Sequence, residues 1–285
     1  MPQIHPTAIV DEGAQLAEDV KIGPYCHVGP HVTLGPGCEL RQGAIIEGHT
    51  TFGAGNLVFP YAVIGSEPQD RKYEGEPSRL VVGDHNVIRE HVTIHIGTEA
   101  GGGLTQLGSK NLIMATCHVA HDCLVGDHCI LANGAGLAGH VILEDWVIVG
   151  GQSGIHQFVR LGAHCMTSGG SKVGKDIPPF TMAQGYPARV RGINHVGLKR
   201  RGFSDQTVRD LRQVYRQVFF DEGKFEDLIE QARVEFKGSH EVQRFLEFLI
   251  ESSANRGFIR PVRGEEDEQI NAPILPPANA PSTSS

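Results

Sequence analysis

The feature that most constrains this chain is a repeat of six residues. Stepping by six from Ile4 meets Val10, Leu16, Ile22, Val28, Leu34, Leu40, Ile46, Phe52, Val58 and Ile64, an unbroken apolar series. With 40% hydrophobic residues, chance produces such a run in one frame about four times in 100,000. Four residues after each anchor the side chain is mostly small, as at Ala8, Ala14, Cys26, Cys38, Ala44 and Ala62. The register breaks over residues 66–80, SEPQDRKYEGEPSRL, and resumes at Val82, Ile88 and Ile94. It breaks again at the glycine-rich GTEAGGGLTQ, then runs from Leu107 to Val173 with Thr167 as its only polar anchor. Six is too short for a helix–turn–helix repeat and too strict for a helix face. It is the period of a β-helix, in which each hexad supplies a short strand and a corner.

The other sequence features fit that frame. The chain has 36 glycines, one Trp and 6% aromatic residues, which suits tight turns and small stacked side chains rather than an aromatic-rich sandwich. All six cysteines, Cys26, Cys38, Cys117, Cys123, Cys129 and Cys165, occupy the small inward position, and none forms a C-x-x-C pair. They read as buried thiols rather than disulfides, zinc ligands or nucleophiles. A net charge of −8 argues against a general nucleic-acid binder, because phosphate contacts need a basic surface. No basic leader and no long apolar run is present, so the expectation is a cytoplasmic protein without an integral membrane segment.

After Pro178, Pro179 and Pro187 the hexads stop. From about Asn194 the pattern becomes helical: a basic turn, GLKRRGF, precedes three stretches with apolar residues at intervals of three and four, with Ser204 and Ser239 as N-cap candidates. The division expected is a β-helix over 1–190, a helical domain over 191–260 and a disordered tail over 261–285, which carries EEDE and PILPPANAPSTSS.

Of the 15 histidines, those between Asn111 and Arg160 stand in a chemical context. CHVAHDC holds His118, His121 and Asp122, while AGH and GIHQF supply His140, His156 and Gln157. An imidazole with its ordinary pKa of about 6.5 is suited to removing a proton from a hydroxyl at neutral pH. For any single histidine, a solvated surface position is the simpler account; the clustering with glycine points to a site. The stretches EPQDRKYEGEP, GGGLT, HVAHDC, LANGAGLAGH, GGQSGIHQF and NHVGLKRRGF together resemble the UDP-N-acetylglucosamine O-acyltransferase family of lipid A biosynthesis, from about residue 1 to 260.

The resemblance implies a left-handed parallel β-helix with three hexads per coil, roughly eight to nine coils here, followed by a small helical domain. Residues 18 apart then lie above one another, about 4.8 Å apart. One column holds His121, Gly139 and Gln157; its neighbour holds Asp122, His140 and Phe158; a third holds His118, Gly136 and Gly154. Glycine above His118 and His121 leaves room for a ligand and an available N–H. By resemblance His121 is the general base toward the glucosamine 3-hydroxyl, Asp122 supports it, and the Gly139 amide stabilises the oxyanion. Asp70 and Lys72 would contact the sugar or its phosphates with His140. His118, His156, Gln157, Asn194 and Arg201 would hold the UDP portion, and Arg200 would help bind substrate or carrier.

The implied donor is a 3-hydroxyacyl group on the phosphopantetheine arm of acyl carrier protein, with no other cofactor and no metal. Lys199, Arg200 and Arg201 would offer that acidic carrier a local docking patch. The implied assembly is a homotrimer with sites between adjacent β-helices. Gly169, above Asn133 and Gly151, would leave the acyl groove open to a long chain, near hydroxymyristoyl length or above.

Two positions depart from the family pattern: Val196 stands where a carboxylate occurs in some members, and Ile96 where an arginine is often found. Acylation of a 3-amino UDP-sugar analogue remains open. A trimeric zinc enzyme of the γ-carbonic anhydrase kind would need three converging histidines. The N-acyltransferase of the same pathway carries an extra N-terminal domain, and an ice-binding β-helix would show flat threonine arrays.

Overall fold

In the computed structural model, which describes residues 1–262, each hexad becomes a two-residue strand and a corner. The strands pair in parallel at one-coil intervals, Ile4 with Ile22, Ile22 with Leu40, His118 with Gly136 and Gly136 with Gly154. They form three sheets, the faces of a triangular left-handed coil. The first face has 11 strands, from Gln3–Ile4 to Ala188–Ile193; the second has nine, from Ile9–Val10 to Lys172–Val173; the third has eight, from Gln15–Leu16 to Arg160–Leu161.

The apolar anchors fill the interior. Ile22, Val28, Leu34, Leu40, Ile46 and Phe52 are buried, as are Ile64, Ile94, Val119 and Leu137. Each such side chain contributes about 1.5–3 kcal/mol relative to exposure. In the first coil the side chains are more open, with Ile4 44% exposed. The six cysteines are all free and buried inside this core.

Most corners of the coil turn through left-handed backbone, which costs a non-glycine residue about 1–2 kcal/mol. Asp122 (φ 59°), His140 (φ 62°) and Phe158 (φ 65°) share one corner; His128, Trp146, His164 and Phe180 share the next. Ring stacking along the corners offsets the strain, as between His128 and Trp146 (4.1 Å) and between His140 and Phe158 (4.3 Å). Both breaks in the repeat loop outward without disturbing the coil, since Val58 pairs with Ile88 and Ile88 with Ile113.

The division differs from expectation at its boundary. Thr181–Gly185 continues the first face and Ala188–Ile193 closes it as an antiparallel hairpin, so a cut at 190 falls inside the last strand. The segment read as a basic turn is instead a short helix, α1 (His195–Arg200), followed by α2 (Asp205–Phe220), α3 (Phe225–Glu235) and α4 (His240–Ala254). Ser204 caps α2 by accepting from Thr207 N–H at 3.0 Å, whereas Ser239 makes no side-chain cap to α4. Glu144 on the coil receives Arg160 (2.6 Å) and Arg244 of α4 (2.8 Å), and Asp176 receives Ser252 of α4 (2.8 Å), so polar contacts join the helices to the coil. Apart from Pro261 and Val262, the expected tail lies outside the described residues.

Candidate active site

The corner after the second face assembles the histidine columns as the 18-residue spacing requires. His121 Nδ1 lies 2.7 Å from Asp122 Oδ2, and the Asp122 side chain is 1% exposed. Beside a carboxylate the imidazole proton sits on Nδ1, which leaves Nε2 as the basic nitrogen. Nε2 faces Gly139 of the next coil: a Cβ built on Gly139 would stand 2.7 Å from it and 2.6 Å from Cε1. Only a glycine leaves this approach open. Among the described residues nothing accepts a hydrogen bond from Gly139 N–H, so a donor stands beside the base.

His140 meets His121 edge-on, with ring centroids 5.2 Å apart, and its Nε2 lies 3.8 Å from Asp122 Oδ2. Burial lowers the pKa of His140, and the nearby carboxylates of Asp122 and Asp70 oppose that shift. Asp70, on the first outward loop, is thereby placed within electrostatic reach of the site; Lys72 on the same loop is exposed.

His118 stands on the second face with Nδ1 2.8 Å from Thr93 Oγ1, and its ring meets that of His95 edge-on at 5.2 Å. The next residue in its column is Gly136, beside which a Cβ would meet nothing within 4 Å. His156 and Gln157 are exposed at the same corner, with His156 Nδ1 2.8 Å from Arg256.

The remaining expected site residues lie elsewhere on this chain. Gly169 is exposed at the corner between the first and second faces, next to Gly151 in its column. Asn194 is 2% exposed and caps α1: its Oδ1 accepts from Gly197 N–H (3.1 Å) and its Nδ2 donates to His164 O (2.9 Å). Arg201 packs over Trp146 and lies 3.3 Å from His164 Nδ1, at the corner after the third face. The basic cluster is divided, because Lys199 pairs with Asp205 at 3.0 Å and Arg201 folds inward, leaving Arg200 exposed. Three corners thus carry three parts of the expected site.

The ligand atoms of His121, Asp122 and His140 lie within 4.8 Å of one another, a separation that could suit a cation. The Asp122 oxygens, however, already accept from Thr98 N–H, Thr98 Oγ1 and His121, which is the geometry of a hydrogen-bonded acid–base pair. Sequence reasoning missed Thr98, Thr93 and the stacked Phe158 as partners of this group. The 18-residue arithmetic contained Phe158, but the insertions hid Thr93 and Thr98.

Two half-buried histidines give the fold a pH dependence. Burial pushes both His118 and His164 down to about 4, with neighbouring histidines adding to it at His118, and Arg201 and Arg244 at His164. An unfolded histidine titrates near 6.5. Between these values the unfolded chain binds more protons, so stability is full above about pH 6.5 and falls as pH drops toward 4. Thermal melts across this range should show the decline, and His164→Phe should reduce its slope by about half, leaving the His118 share. A melting temperature that is level from pH 6.5 to 4.5 would contradict the assignment.

Known proteins resemble this chain along most of its length. Residues 176–259 match the family described as UDP N-acetylglucosamine O-acyltransferase, domain 2. Residues 1–36, 13–48 and 105–139 match the bacterial transferase hexapeptide (six repeats) family. The acyl-[acyl-carrier-protein]–UDP-N-acetylglucosamine O-acyltransferase of Thiobacillus denitrificans is 48% identical over 260 residues, covering 91% of this chain and 100% of that protein. Among solved structures, the UDP-N-acetylglucosamine acyltransferase from Campylobacter jejuni is 41% identical with a TM-score of 0.86, covering 91% of this chain and 100% of that one. The enzyme of the same name from Francisella novicida is 35% identical with a TM-score of 0.87, covering 96% of this chain and 99% of that one.

Proposed function

Since the chain belongs to the UDP-N-acetylglucosamine O-acyltransferase family, we propose that His121 is the base by which it moves an acyl group onto a sugar hydroxyl. The enzyme transfers a 3-hydroxyacyl chain from acyl carrier protein to the 3-hydroxyl of UDP-N-acetylglucosamine, the first step of lipid A biosynthesis. The observation that carries the mechanism is the open side of His121: Nδ1 is held by Asp122, and Nε2 faces the space that Gly139 leaves free.

In this reading Nε2 takes the proton of the 3-hydroxyl as its oxygen attacks the thioester carbonyl. The oxyanion accepts from Gly139 N–H. On collapse the C–S bond breaks, the ester forms, and the phosphopantetheine thiolate leaves with the proton held by His121. No metal or further cofactor enters the cycle. Neutral His118 and exposed His156 and Gln157 offer hydrogen bonds to the nucleotide, while Asp70, Lys72 and His140 surround the sugar.

Asn194 and Arg201 sit on a different corner from His121, which supports a shared site: in a homotrimer one chain's third corner meets its neighbour's second. Arg201 and the Asn194 end of α1 would then close over the nucleotide bound by the adjacent chain. Exposed Arg200 supplies positive charge for the acidic carrier protein. No helix among the described residues is long and apolar enough to cross a membrane, and the carrier and nucleotide substrates support a reaction in the cytoplasm.

Purified protein given UDP-N-acetylglucosamine and hydroxyacyl carrier proteins should yield the 3-O-acyl product. A preference for the 3-amino analogue would overturn the ester assignment. Within the same assay Gly169 tests the acyl groove. Its neighbour in the column is Gly151 and its surroundings are open, so the long chain runs past it. Gly169→Met should shift preference from hydroxymyristoyl toward shorter donors by about tenfold or more, as the loss of several methylene contacts implies. An unchanged preference would remove Gly169 from the groove.

A further inference from the structure

The second break in the repeat, residues 97–103, takes no part in the chemistry above, yet it closes around Asp122. Thr98 is 4% exposed. Its N–H donates to Asp122 Oδ1 at 2.8 Å and its hydroxyl to Oδ2 at 2.7 Å. The hydroxyl oxygen accepts from Gly101 N–H at 3.1 Å, which leaves its hydrogen directed at the carboxylate. Asp122 N–H donates in turn to Thr105 Oγ1 at 2.8 Å. The loop has room for nothing larger than glycine here, since a Cβ on Gly101 would overlap the Asp122 carboxylate and one on Gly97 would come within 2.9 Å of Oδ1.

The same loop is stitched to the first one, which carries Asp70 and Lys72. Ser78 Oγ donates to Gly97 O, Gly97 N–H to Arg79 O at 3.2 Å, and Glu99 N–H to Glu76 Oε1 at 3.2 Å. Asp122 stands at a left-handed corner, and a carboxylate there without donors could rotate about its side-chain bonds. Three donors on its two oxygens leave one orientation, with Oδ2 shared between the Thr98 hydroxyl and His121 Nδ1.

We propose that Thr98 is a positioning residue for the reaction: its two donors aim Asp122 at His121 and thereby keep the His121 proton on Nδ1. The inference rests on His121 being the base. It gives the glycine-rich insertion a purpose, because loop closure brings the Thr98 clamp and the Asp70–Lys72 loop to the same pair. A carboxylate that orients an imidazole acts on the reactive step rather than on substrate affinity.

The test compares Thr98→Val, which keeps the shape and the N–H donor, with Thr98→Ser, which keeps the hydroxyl. Thr98→Val should lower kcat about tenfold, the scale of one hydrogen bond to a charged group, with KM for UDP-N-acetylglucosamine within about twofold. Thr98→Ser should stay within about threefold of wild type. In an Asp122→Asn background Thr98→Val should cause no further loss, since the two act as one unit. Long-range 15N spectra of the imidazoles read the contact without turnover: His121 is the Nδ1–H tautomer in wild type and Thr98→Ser, and a mixture in Thr98→Val. Wild-type kcat in Thr98→Val, an unchanged spectrum, or an equal loss in the Asp122→Asn background would overturn the proposal. Equal rates for wild type and His121→Ala would instead sink the base assignment, while the spectra would still report the Thr98 contact.

Discussion

Gly139→Ala is expected to lower kcat/KM about 100-fold while leaving the β-helix folded, the scale associated with misplacing a reacting group by about 1 Å. The added methyl would stand 2.6 Å from His121 Cε1 and 2.7 Å from Nε2, so the imidazole must move. It cannot move freely, because Asp122 holds Nδ1 at 2.7 Å and the edge of His140 lies on another side. The methyl therefore either covers the basic nitrogen or pulls the ring from its carboxylate. The backbone at Gly139 is not in the left-handed region, and alanine adopts it without strain. Because the substituted residue keeps its N–H, the loss measures the space beside His121 rather than the oxyanion donor. Steady-state kinetics beside a thermal melt reads both parts. Wild-type turnover in a folded variant would mean that His121 does not need this opening.

The part of this architecture legible in the sequence is the part governed by the repeat. A β-helix must place an apolar residue inward on every strand, so the Ile4 series and the Leu107–Val173 series marked the coil directly. The same arithmetic put Gly139 over His121 and His140 beside it, and those contacts are present. The hand of the coil is not encoded in a period of six, and it came from resemblance.

The clamp on Asp122 was illegible for a different reason. Thr98 lies in an insertion, and an insertion leaves the register on which column arithmetic depends. Thr98 to Asp122 spans 24 residues, not 18, and nothing in GTEAGGGLTQ signals a carboxylate partner. Asn194 shows a third limit. Its place before GLKRR was compatible with ligand contact, but an asparagine ahead of a short helix is also a cap, and its side chain is used there. Ser239 has the reverse history: the pattern of a cap is present without the hydrogen bond. Local capping chemistry depends on a rotation that composition does not reveal.

His121→Ala carries the largest expected effect and bears on the whole account. Removing the imidazole leaves the buried Asp122 held only by its Thr98 donors, and no other described side chain pairs a basic nitrogen with the Gly139 opening. His118 is tied to Thr93, and His140 lies with its ring stacked on Phe158. General acid–base catalysis by one residue is worth about 10²–10⁴ in rate, and the loss should fall in kcat, with KM for UDP-N-acetylglucosamine little changed. The most direct measurement is therefore the rate of 3-O-acyl-UDP-N-acetylglucosamine formation from hydroxyacyl carrier protein, wild type against folded His121→Ala, at about pH 7.5, above the ordinary histidine pKa. The predicted result is product from the wild type and a rate lower by about 10²–10⁴ in the variant; equal rates would show that the proton leaves the sugar hydroxyl by another route.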